Sequence, residues 1–317
     1  MLKYMLKRLL LSVGLFFGIT ILVYFLANLA PGGPADIIAG SNNLTQEAYK
    51  ELKHSMGLDR PIIVRYLEWL SGVVRGNLGI STRTNQTVAE MLSQRIGSSL
   101  ILMFTALGIA IVVSLPLGIA AGAKPYGFWD NISTAVAFLG SSVPNFFIAL
   151  VFIYFFAVKW RVLPAMGMYD QGKNGDVASL IRHLIMPALV LSFQMMGSII
   201  KQTRGSILEA MNEEYIKTAR AKGLSEFQVV MRHGLRNAWM PIVTTIGNMV
   251  PFLLSGAVIT EQIFSWNGIG SLLVQSVSSR DYNTIMGITV VIAIAVIITN
   301  IVLDFVYSLI DPRISVA

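Results

Sequence analysis

Residues 9–29 read LLLSVGLFFGITILVYFLANL, a run of 21 positions without a charge. A bilayer's hydrocarbon core is about 30 Å thick and a helix rises about 1.5 Å per residue, so roughly 20 apolar residues cross it. Inside lipid every backbone polar group must be bonded internally, which leaves helices and closed barrels. A continuous apolar run lacks the alternation of a barrel strand, so a helix is predicted. Lys3, Lys7 and Arg8 precede the run like the start of a secretory signal. The run is longer than the apolar core of such signals, roughly 7–15 residues, and no small-x-small cleavage site follows. A retained helix is expected.

Five further segments repeat the pattern: Ser98–Ala123, Asn131–Val158, Leu184–Ile200, Asn237–Thr260 and Tyr282–Leu303, the last ending at Asp304. Leu184–Ile200, at 17 residues, is the shortest. Hydrophobic residues make up 54% of the 317 positions and charged residues 13%, about half the charge of a soluble domain. The fold class is therefore all-α and polytopic, with about six transmembrane helices. The chain has no cysteine, which excludes disulfides and thiolate metal sites. Its formal charge of +7 suits flanks facing an anionic leaflet, and nucleic acid is not expected as a partner.

With the N-terminus in the cytoplasm, six spans put 30–97, 159–183 and 261–281 outside. They put 124–130, 201–236 and the C-terminus inside. Of the 24 basic residues, 12 fall on each side, but seven of the outer ones lie in the long 30–97 segment. Long loops carry little weight in the positive-inside rule, so 12 inside against 5 outside supports both termini being cytoplasmic.

The 30–97 segment carries helix signals. Thr45 can cap a helix through Leu52 and Met56 that stops at Gly57. Pro61 suits the first turn of a second through Tyr66 and Leu70, and Thr87 with Glu90 forms a capping-box pattern leading into the second span. An extracytoplasmic helical cap is expected, either touching a soluble delivery protein or serving as a lid. Pro116, Pro144, Pro187, Pro241 and Pro251 fall within spans and mark kinks. Ser141, Ser142, Asn145, Asn248 and Ser255 are polar groups that line a path for a polar substrate or else bond between helices.

Three features resemble chemistry without supplying it. Gly167–Asn174 reads GMYDQGKN, close to a nucleotide-binding loop, but Asn174 replaces the magnesium-holding hydroxyl and no strand is expected before it. His54, His183 and His233 lack partners at ligand spacing and are expected at surfaces or interfaces. The spans hold no acid pair of the kind a proton-coupled carrier uses. No catalytic residue, cofactor or metal is expected.

The most informative polar segment is Lys201–Arg236, KQTRGSILEAMNEEYIKTARAKGLSEFQVVMRHGLR. It reads as two short helices about a glycine. The first, near Glu209–Lys222, places Tyr215, Thr218, Ala219 and Lys222 on one face. Gly223 supplies a left-handed cap, and Ser225 starts a second helix bearing Phe227, Val230 and Met231. Docking to a cytoplasmic partner and lying on the bilayer surface both fit such a face.

Here the sequence becomes specific. EYIKTARAKGLSEFQVVMRHGLRNAWMPIVT resembles the cytoplasmic EAA loop of ABC importer permeases in the dipeptide, oligopeptide and nickel branch. The family's E-A-A-x-x-x-G falls on Lys217, Thr218, Ala219 and Gly223. The first two positions depart from the general pattern, and the spacing from Gly223 to Pro241 is longer than usual; both departures resemble the peptide branch. Further similar stretches are GITILVYFLANLAPGGP, GLDRPIIVRYLEWLSGVVRGNLGIS, TEQIFSWNGIG, RDYNTIMGITV and LDFVYSLIDPRI. Gly33 and Asn77 stand where the branch often has aspartate, and Asn267 where it often has proline.

The resemblance implies a single permease domain over 1–317, in the cytoplasmic membrane of a prokaryote. It implies a second homologous permease, two cytoplasmic ATPase subunits and an extracytoplasmic substrate-binding protein as partners. ATP hydrolysis would belong to the ATPase subunits. Glu214, Tyr215, Thr218, Ala219, Arg220, Ala221, Lys222, Gly223 and Leu224 would form the ATPase-coupling segment. Di- or oligopeptides would be the substrate, with nickel or another small solute as the alternative. A channel or ion-coupled carrier working without an ATPase is the reading from a different class, and it leaves the cytoplasmic segment unexplained.

Overall fold

The computed structural model describes the backbone of residues 2–29, 33, 35–36, 39 and 45–310, with side chains except those of 2–9, 252 and 254–256. Among the described residues there is no strand, only an isolated bridge between Ile80 and Thr87. The chain divides into two compact units: Met1–Ser98 with Gly268–Ile298, and Ser99–Asn267 with Thr299–Ala317.

In the first unit α1 spans Leu2–Leu29, α2 Gln46–Ser55 and α3 Ile62–Val74. The expected signals act as read. Thr45 caps α2, its hydroxyl accepting the Ala48 N–H at 3.4 Å, and Gly57 takes φ +65° beyond its end. Pro61, whose missing N–H costs nothing there, sits at the N-cap of α3, one residue earlier than expected. α3 lies along α1: the Thr20 and Tyr66 hydroxyls meet at 3.0 Å, and the Tyr24 and Tyr66 rings pack edge to face at 5.4 Å. Thr20 is nine residues before the end of α1, so the segment expected as a cap reaches about 13 Å down the span.

α4, Val88–Ala123, begins as Thr87 Oγ1 accepts the Glu90 N–H at 3.3 Å, and continues without interruption into the expected second span. Near the chain's end lie α11, Ile269–Ser278, and α12, Tyr282–Ile310; among the helices between, α5 spans Phe128–Ser142 and α6 Asn145–Phe152. Asp281 caps α12. Its carboxylate accepts Thr284 Oγ1 at 2.7 Å and Ser81 Oγ at 2.5 Å, so Ser81 is fully buried.

The second unit differs most from expectation. Asn131–Val158 is not one span: α5 and α6, the latter continued by a wider turn over Ile153–Lys159, meet at 104°. Pro144 causes the break. Its ring disfavours the helical conformation in the preceding residue, and Val143 is extended at φ −90°, ψ 126°. The short segment Leu184–Ile200 proves to be the centre of a 35-residue helix, α7, Val177–Met211, capped by Asp176. Residues 201–211, expected in a loop, continue that helix.

α8 follows at Glu214–Ala221, after a break at Asn212 and Glu213, so the helix expected over 209–222 is two pieces. Ser225 and Gln228 form a capping box on the short α9, Glu226–Gln228. A wider turn over Val229–Gly234 then leads into α10, Leu235–Ile263. By length and hydropathy α1, α4, α7 and α12 can cross a membrane, and the bent pair α5–α6 passes the same test only when its two helices are taken together, as a broken span or a re-entrant loop. α10, at 29 residues or about 43 Å, holds the sixth expected segment. The chain is an all-α, polytopic membrane protein.

α7 is the centre of this unit, its Leu191, Met195, Ile199 and Ile200 buried with Leu102 and Ala106 of α4, Ala137 of α5 and Leu253 of α10. α5 approaches it backbone to backbone. A Cβ on Gly140 would stand 2.4 Å from the Phe193 carbonyl oxygen, and one on Gly197 2.9 Å from that of Ala137. Small residues permit this contact, as in other membrane helix pairs.

Candidate functional site

α8 is an exposed helix anchored on one side. Ile216 and Ala219 are buried in a cluster with Ile207 and Met211 of α7, Val229, Val230, and Ile242 of α10. Ala219, expected on an outward face, therefore belongs to the chain's own core, because α8 folds back onto the end of α7. Glu214, Tyr215, Thr218, Arg220, Ala221, Lys222 and Gly223 are exposed, and Leu224 is half-buried. Gly223 has φ +79° and its N–H bonds to the Arg220 carbonyl at 2.9 Å. Across this turn the Arg220 guanidinium meets Glu226 at 2.8 and 3.2 Å, and its bonds hold the Glu226 carboxyl below the ordinary range.

Ten residues before α8, Arg204 makes a two-point pair with Asp130, Nε to Oδ1 at 2.6 Å and Nη2 to Oδ2 at 2.9 Å. Asp130 is 5% exposed and Arg204 30%. Asp130 also accepts the Tyr126 N–H at 2.7 Å and sits in the first turn of α5, where the helix dipole favours an anion. The pair fixes the start of α5 to α7. Positions 74 apart gave no local signal for it.

At the other end of α5 lies the break, with Ser141 and Ser142 exposed and Asn145 half-buried. Asn145 donates to Gln194 Oε1 of α7, and its own Oδ1 is buried without a partner. α7 is buried over most of its central length. Its open face from 194 to 205 is Gln194, Ser198, Lys201 and Gly205, at i, i+4, i+7 and i+11. On α10, Asn237, Pro241, Thr245 and Asn248 share one face at i, i+4, i+8 and i+11: Asn237, Pro241 and Asn248 are exposed, Thr245 half-buried. A helix face toward lipid is apolar; these faces are polar. Ser255 lies outside the described side chains.

Sequence reasoning missed Gln194, Ser198 and Lys201, all on α7. A plot of polar residues at 3.6-residue spacing through 194–205 would have found the stripe. It also missed Glu261, which lies one residue past the expected span Asn237–Thr260. The helix continues to Ile263, and Glu261 is fully buried, accepting Ser99 Oγ at 2.6 Å.

The other candidates are structural. In the 167–174 loop Lys173 faces Asp170 at 3.7 Å, and no strand precedes it. His183, expected at a surface or an interface, is buried: Nδ1 meets the Gly167 carbonyl at 3.0 Å and Nε2 meets Asp170 at 3.3 Å. That contact, with the Lys173 charge behind it, lowers the Asp170 carboxyl pKa. Among the described residues no His, Cys, Asp and Glu group could hold a metal ion.

The family described as "Binding-protein-dependent transport system inner membrane component" matches residues 114–316, and its N-terminal companion matches 1–103. A putative peptide permease protein of Brucella suis biovar 1 is 44% identical over 318 residues, covering 100% of both chains. The oligopeptide transport system permease protein AppB of Bacillus subtilis is 36% identical over 315 residues, covering 99% of each chain. The dipeptide transport system permease protein DppB of Escherichia coli K12 is 35% identical over 335 residues, also covering 99% of each. A solved structure of inward-facing MetNI methionine ABC transporter superposes with a TM-score of 0.53 at 15% identity, covering 70% of this chain and 97% of that chain, a likeness of fold.

Proposed function

Since this chain belongs to the binding-protein-dependent transport system inner membrane components, we propose that it is a permease subunit of an ATP-driven importer of di- or oligopeptides. The observation that carries the reading is end-to-end similarity to permeases named for oligopeptide and dipeptide transport.

The partners are a second permease, two cytoplasmic ATPase subunits and an extracytoplasmic binding protein that delivers substrate. Both termini are cytoplasmic. The exposed side of α8, with the Gly223 turn, docks on an ATPase subunit. Closure of the ATPase dimer on ATP pushes α8. Because Ile216 and Ala219 are packed on Ile207 and Met211, the push passes to the end of α7. The Asp130–Arg204 pair and the Gly140–Gly197 contact carry it to α5. Displacement of α5 and α7 moves the polar faces between the two sides of the membrane. The open polar faces then form the wall of the path, opposite the second permease.

The test is reconstitution. The chain is co-expressed with candidate permease and ATPase subunits from the same organism, purified as a complex, and placed in liposomes with the binding protein. Uptake of a labelled dipeptide that requires both ATP and the binding protein is expected. Purification without ATPase subunits, or uptake without ATP, would refute the reading.

A further inference from the structure

Lys201 is unusual in where its charge ends. It lies on α7 one turn from Arg204, yet the two side chains part. Arg204 reaches Asp130 at the start of α5, whereas Lys201 Nζ donates to Ser141 Oγ at 3.0 Å, at the far end of α5. Ser141 lies eleven residues beyond Asp130, about 16 Å along the helix axis. If the Asp130–Arg204 pair marks one edge of the apolar layer, the Lys201 ammonium stands near the middle of a layer about 30 Å thick.

A cation at that depth is strongly unfavourable against lipid and is found instead facing a water-filled path. Three observations fit a path. Lys201 is exposed, and its neighbours on the open face of α7 are Gln194, Ser198 and Gly205, none of them a lipid-facing type. α5 ends beside it, at the break before Asn145, whose Oδ1 is a buried acceptor without a partner. Among the described residues no carboxylate lies within ion-pair distance of Lys201, while Arg204, three positions away, is fully paired.

We propose that Lys201 is the carboxylate subsite of the translocation path: its ammonium, steadied by Ser141, pairs with the C-terminal carboxylate of a peptide in transit. Asn145 Oδ1 accepts a peptide N–H. This rests on the reading of the protein as a peptide permease. A peptide with a free carboxylate enters as a charged species, and a fixed cation part-way offsets its loss of hydration. A single exposed ammonium holds it weakly enough for release.

The test uses the assembled importer in proteoliposomes and a peptide bound by its binding protein both as the free acid and as the C-terminal amide. Lys201→Gln keeps a donor for Ser141 and removes the charge. Uptake of the acid should fall about tenfold or more, the loss of one charge-assisted hydrogen bond, and uptake of the amide should change less than about twofold. Because this chain has no native cysteine, Lys201→Cys allows the charge to be rebuilt once thiols on the partner subunits are blocked or replaced. An aminoethyl methanethiosulfonate should restore acid uptake, and a sulfonatoethyl reagent should not. Equal loss for acid and amide would overturn the proposal, as would unchanged uptake of both. Failure of both variants to assemble would assign Lys201 to subunit contact and overturn it too. If the wild-type complex imports neither peptide, the peptide-permease reading itself fails.

Discussion

Replacing Gly223 with valine should uncouple ATP hydrolysis from transport. Gly223 holds φ +79°, and a Cβ built there meets nothing within 4 Å, so the penalty is conformational rather than a clash. An L-residue in the left-handed region costs about 1–2 kcal/mol, and a β-branched one up to about 3 kcal/mol. What keeps α8 in place is chiefly the burial of Ile216, about 1.5–3 kcal/mol, with a smaller share from Ala219. The two magnitudes are comparable, so valine should release the turn and the helix. A cost of about 2 kcal/mol corresponds to roughly 30-fold less of the ordered form. Alanine should cost about half as much, and asparagine, which tolerates this region, little. Peptide uptake and ATP hydrolysis, measured in proteoliposomes and normalised to assembled complex, should rank uptake as glycine and asparagine first, then alanine, then valine. Full uptake by a stably assembled Gly223→Val complex would refute the reasoning and remove this turn from the coupling mechanism.

Asp130→Asn should lower the thermal stability of the solubilised protein, since removing one member of a buried pair costs about 3–5 kcal/mol, toward the low end here because Arg204 is 30% exposed; an unchanged melting temperature would show that water already screens the pair. Gly140→Ala places a methyl 2.4 Å from the Phe193 carbonyl oxygen and should cost about 1–3 kcal/mol by the same assay, whereas Gly205→Ala, with nothing within 4 Å, should be neutral or stabilising. For topology, Gln86→Cys and Glu213→Cys are exposed thiol positions on opposite sides of the proposed map, so an impermeant reagent added outside intact cells should label the first alone. Ser81, in the same external segment as Gln86, is fully buried against Asp281 and would give no reading.

Much of the fold is legible along the chain because lipid makes a local demand. A segment that crosses must be apolar for its whole length, and its ends must satisfy orphan backbone groups. Residues 9–29 state the first condition, and Thr45, Gly57, Pro61 and Ser225 state the second. Parts of the long polar segment were legible too, as in the Gly223 cap and the helix start at Ser225, though not the capping box that Gln228 completes there. The break in the third span was less so. Pro144 within an apolar run signals a kink, but with Val143 forced out of helix the run becomes two helices.

The sequence by itself determined that the chain is a bundle of apolar helices with a long polar segment between two of them, because hydropathy and capping depend on a residue and its near neighbours. Only the tertiary structure decided which polar residues are spent on holding that bundle together and which remain open. Arg204 and Lys201 are three residues apart on one helix and carry the same sign of charge. The first meets an aspartate 74 positions away and the second, among the described residues, a serine hydroxyl. Ala219, outward by helical spacing, is buried because α8 folds back onto α7. Partners so distant in sequence are brought together by helix packing, and packing fixes how much charge each site leaves uncompensated.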